Sequence, residues 1–110
     1  MLEDTIAKLE AAINKIEATR FEKKPQLLSL LAELKDEVKR LSKTHGDQAR
    51  SIVGFTEMAV HETSRSVRAP DLHQLSLSGL ATSVKGFEAS HPRLVEAANE
   101  ICNLLAGMGI

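Results

Sequence analysis

Aromatic residues and long apolar runs are scarce in this chain. There is no tryptophan and no tyrosine, and only three phenylalanines occur among 110 residues. A core must therefore be built from Leu, Ile, Val and Ala, which suits packed helices better than a β-sandwich. No stretch approaches the roughly 18 apolar residues of a membrane-spanning helix, and the acidic start is unlike a secretory signal peptide. These absences predict a cytoplasmic protein without a membrane segment.

Cysteine and excess charge are scarce as well. Cys102 is the single cysteine, which excludes an internal disulfide framework and fits a reducing compartment. The 14 basic and 15 acidic side chains give a net charge of −1. Such a balance excludes the strong overall field that draws a protein to nucleic acid or to an anionic membrane. The sequence also contains no glycine-rich phosphate loop and no Gly-x-Ser-x-Gly nucleophile motif.

Residues 1–43 contain two apolar stripes with steps of four and three residues, the spacing of one helix face and of coiled coils. The first stripe is narrow and consists of Leu2, Ile6, Leu9, Ile13 and Ile16. The second, in Pro25–Lys43, consists of Leu27, Leu31, Leu34, Val38 and Leu41, and is widened by Leu28 and Leu30. Pro25 suits the first turn of a helix. The pattern therefore predicts an N-terminal αα-hairpin, with the second helix as the most buried element.

A break is predicted at residues 44–47, where Gly46 can adopt the left-handed conformation that ends a helix and Asp47 can cap the next one. The helix predicted after this break has a smaller apolar face. Its members are Ala49, Ile52, Val53, Thr56, Ala59, Val60 and Thr63. Phe55 falls off this face, so we expect it to make a contact outside the local core.

The remaining residues predict two further helices. Leu75–Ser78 alternates like a strand, but the steps from Leu77 through Leu80 and Val84 to Phe87 are helical, and a lone short strand would have no partner. A last stripe follows Pro92 and consists of Leu94, Ala98, Ile101 and Leu105. We therefore predict an all-α, antiparallel bundle of four or five helices. Residues 1–110 form a single domain, with the hairpin over 1–43 and the other helices over 47–110.

The C-terminal end carries a family resemblance. The run Phe87–Pro92, then Leu94, then Gly107–Ile110 resembles a family of short bacterial proteins known only as a domain of unknown function. The resemblance implies a small, bacterial, mainly helical protein with a leucine-rich N-terminal segment. It supplies no catalytic or binding residues.

The function that the pattern favours is a non-enzymatic interaction module that self-associates as a homodimer. A narrow stripe beside an over-wide one leaves apolar surface that a single pair of helices cannot bury. The predicted interface residues are the five of the first stripe and the five of the second: Leu2, Ile6, Leu9, Ile13, Ile16, Leu27, Leu31, Leu34, Val38 and Leu41. No catalytic residue and no cofactor or metal is expected on this hypothesis.

Two alternatives stay open. The first is a metal-binding bundle that uses Glu57, His61, Glu88 and His91, since Glu88 and His91 have the Glu-x-x-His spacing of di-iron bundles. Pro92 places that pair at a helix break, however, and His45 and His73 are expected in turns. The second is a weak nucleic-acid or protein regulator that uses Arg65 and Arg68, whose simpler interpretation is solvated turn charge. Cys102 is expected to be a buried structural thiol.

Overall fold

In a computed structural model of the chain, residues 24–108 form four helices separated by short connections. They are α1 (Lys24–Leu41), α2 (Gly46–Ser64), α3 (Pro70–Ser83) and α4 (Pro92–Met108). The residues that the structure describes are Asp4, Ala7, Lys8, Glu10, Ala11, 23–65, Val67 and 69–108. Within these ranges there is no strand, so the prediction of an all-α bundle is confirmed, and the strand-like Leu75–Ser78 lies inside α3.

The apolar face of the helix α1 is almost completely buried. All five residues of the predicted second stripe, together with Leu30, are covered, and Leu31, Leu34 and Leu41 have no exposed surface at all. The helix begins one residue before Pro25, whose missing N–H would have no partner in a first turn anyway. It ends at Leu41, two residues earlier than the pattern predicts. The heptad spacing therefore predicted the buried face of α1 correctly, and it predicted the ends of the helix to within two residues.

The turn between α1 and α2 corrects a detail of the prediction. Gly46 is not left-handed but is the first residue of α2, and His45 occupies the capping position although its side chain makes no capping hydrogen bond to the helix. The N–H groups of Ser42 and His45 donate to the carbonyl oxygens of Val38 and Leu41, both at 2.8 Å. Because these bonds satisfy carbonyls in the last turn of α1 while Ser42 and His45 keep negative φ angles of −61° and −135°, no left-handed residue is needed there.

The predicted face of α2 is confirmed in full, since all seven of its residues are buried. The last stripe is confirmed on α4 in the same way. In the turn between α3 and α4 the left-handed residue is Gly86, with φ of 96°. Its N–H donates to the Glu88 carboxylate at 2.8 and 3.1 Å, which orders this turn before Pro92 starts α4.

Each helix packs on its neighbours in the chain. The most extensive contacts join α2 to α3 and α1 to α4, while α1 and α3 do not touch. The rings of His45, Phe87 and His91 meet edge to face, with centroids 5.4 to 6.5 Å apart. Because these residues belong to the α1–α2 and α3–α4 turns, both turns lie at the same end of the bundle. Successive helices therefore run in opposite directions.

The N-terminal arm of the predicted hairpin lies only partly within the described residues. Asp4, Ala7, Lys8, Glu10 and Ala11 are helical. The Glu10 Oε1 atom lies 3.9 Å from Nζ of Lys35, which places this segment beside α1. The whole first stripe, Leu2, Ile6, Leu9, Ile13 and Ile16, lies outside the described residues.

The stability of the bundle should depend strongly on single leucines of α1. We expect Leu31→Ala to lower the free energy of unfolding by about 2–5 kcal/mol, because the side chain is fully enclosed and its loss leaves a cavity. Urea unfolding followed by circular dichroism measures the change. Ser29→Ala, at an exposed position of the same helix, is the matched control and should change it by less than about 0.5 kcal/mol. A loss below about 1 kcal/mol for Leu31→Ala would contradict the enclosed environment.

Candidate functional site

The exposed large apolar side chains are concentrated in one part of the described chain. They are Val67, Leu72 and Leu75, which are 74%, 41% and 59% exposed. Leu72 and Leu75 lie on α3, and Val67 lies in the linker that leads to α3. Single exposed leucines are normal on a protein surface, but a concentration on one element marks a candidate contact surface.

A groove of about 490 Å³ lies beside Leu75, between α2 and α3. We call it the α2–α3 groove. The side chains and backbone that line it belong to Gln48, Ser51, Phe55, Leu75, Ser78, Gly79, Thr82 and Ser83. None of these eight residues carries a charge. An uncharged surface with an apolar floor is typical of the centre of protein interfaces, where charged side chains are depleted.

Phe55 and Gly79 determine the shape of this groove. The ring of Phe55, which projects from α2, lies so close to Gly79 of α3 that a Cβ at position 79 would collide with Cδ1 and Cε1. Phe55 is partly buried and packs against the edge of the core. The expected contact of Phe55 outside the local face is thus a contact with the backbone of the next helix.

The polar groups around the groove are mostly occupied within their own helices. Ser51 donates to the Asp47 carbonyl oxygen at 3.3 Å and Ser83 to that of Leu80 at 2.7 Å. Gln74 donates to the Ser78 hydroxyl at 3.4 Å. Hydroxyls engaged in this way offer few directional contacts to a polar small molecule, so apolar packing is the chemistry that this surface supports best.

The four residues of the metal hypothesis are not brought together. Glu57 and His61 are exposed on α2, whereas Glu88 bonds to Gly86 and His91 contacts Phe87 in the α3–α4 turn. His91 lies near His45, at the start of α2, and the rise along α2 puts His61 about 24 Å from there. No three His, Cys, Asp or Glu side chains among the described residues are grouped closely enough to hold a metal ion.

The basic residues of the regulator hypothesis do not form a patch in the described part of the chain. Arg65 donates to the largely buried carboxylate of Glu62 at 2.9 Å. Arg50 pairs with Asp47 at 3.3 Å, and Arg68 lies outside the described residues. These arginines neutralise nearby acidic groups, which weakens any field that they could present to a nucleic acid.

His73 was expected in a turn but lies within α3 and is buried. Its Nε2 atom is 2.9 Å from the Thr63 hydroxyl, which also donates to the Ala59 carbonyl oxygen. The contact joins the end of α2 to the start of α3 in the interior of the fold. His73 is therefore part of the structure that holds the two walls of the groove together.

The five predicted interface residues on α1 have a different environment from the groove. Leu27, Leu31, Leu34, Val38 and Leu41 are all enclosed in the core of the chain itself. The other five predicted interface residues lie outside the described part.

The α2–α3 groove was not predicted from the sequence. The available signal was that Leu72 and Leu75 fall off the buried stripe of Leu77, Leu80 and Val84.

A glycine exchange tests the close contact that shapes the groove. Gly79→Ala should lower the free energy of unfolding by about 1–2 kcal/mol, because overpacking against Phe55 outweighs the gain in helix propensity. In a Phe55→Ala background the same exchange should stabilise by up to about 1 kcal/mol, because the collision is gone.

Gly54→Ala on α2 is the matched control for this cycle, since a Cβ there meets no atom within 4 Å. It should stabilise the wild-type fold by about 0.5–1 kcal/mol. Denaturant unfolding of the single and double variants gives all the values. If Gly79→Ala stabilised the protein equally in both backgrounds, the contact would not constrain α3.

Cys102 should behave as a poorly reactive thiol. It lies half-buried on α4, with Sγ 3.5 Å from the Leu77 carbonyl oxygen. Burial raises the pKa of the Cys102 thiol above its ordinary value of 9.0, and a backbone hydrogen bond at Ala81 opposes this in part. The rate of alkylation by iodoacetamide should therefore rise with a midpoint above pH 9.0. Urea-unfolded protein is the control, and a native midpoint below its value would contradict the assignment.

None of the helices in the described part of the chain is both long and apolar enough to cross a membrane.

The comparisons with known proteins concern the same four helices. No curated protein and no solved structure matches the chain. One family model does match it, over residues 27–110, and that family is described as "Domain of unknown function (DUF4404)". The match starts at the first buried leucine of α1 and continues through α2, α3 and α4. Because it covers well over half of the sequence, the chain belongs to the DUF4404 family.

Proposed function

We propose that this protein is a non-enzymatic interaction module that binds a second copy of itself. The observation that carries the proposal is the exposed, uncharged α2–α3 groove with Leu75 at its edge. Apolar surface that a monomer leaves in water is stabilised when a partner covers it. The groups capable of acid–base or nucleophilic chemistry provide no comparable support, because they are dispersed or paired in the described residues.

The sequence offers a second surface for the same function. The narrow stripe of Leu2, Ile6, Leu9, Ile13 and Ile16 has the spacing of a coiled-coil seam. The matching stripe on α1 is enclosed by the chain's own core. The proposal that the first stripe contributes to self-association therefore depends on its sequence spacing alone. It is independent of the proposal for the α2–α3 groove.

The mass of the protein in solution tests the proposal directly. We expect light scattering and sedimentation to give a mass that rises from one chain toward two as the concentration increases from about 10 to about 500 μM, because mass action favours a weak dimer. Circular dichroism at the same concentrations is the control for folding. A folded chain that stays monomeric over this whole range would overturn the proposed self-association.

A further inference from the structure

We draw no further inference here: the strongest candidate, the side-chain cluster of His45, Phe87 and His91 where the α1–α2 and α3–α4 turns meet, brings together only two metal-binding side chains, and no third His, Cys, Asp or Glu among the described residues completes a metal site there.

Discussion

The enclosure of the α1 leucine stripe is the interaction on which the rest of the fold depends. Its side chains have almost no contact with water, and they are covered mainly by α4, with which α1 forms one of the two extensive helix pairs. A solvent-facing helix of this composition would expose a continuous apolar surface. Closing that surface requires the chain to return from α1 through α2 and α3 to α4, which determines the antiparallel order of the bundle.

The second extensive pair, α2 with α3, has a different chemistry. Its interior includes Thr56, Thr63, Ser76 and His73 among apolar residues. Thr56 and Ser76 donate to carbonyl oxygens of their own helices, and the Thr63–His73 hydrogen bond joins the two helices in addition to packing. Small residues give less apolar area to bury but allow a close approach of backbones. The result is a helix pair whose inner face is satisfied and whose outer face keeps Phe55 and Leu75 partly in water.

Periodicity predicted the buried faces well because it reflects a geometric requirement of the helix itself. The stripes on α1, α2 and α4 are buried as expected, and α3 is helical despite its strand-like Leu75–Ser78 run. The turns were predicted less well. Gly46 begins a helix and Gly86 is left-handed, because the choice depends on which N–H groups can reach the last carbonyls. The groove was missed because its walls come from two helices whose relative position no local pattern specifies.

The sequence by itself determined that the chain is helical, which residues of each helix face inward and that aromatic and charged recognition surfaces are scarce. These properties follow from composition and from spacing along single helices. Only the tertiary structure decided that His73 lies inside, that Phe55 rests on Gly79 and that Leu75 borders an uncharged groove. Such features depend on the rotation and separation of packed helices, which are set by the fit of side chains across the bundle.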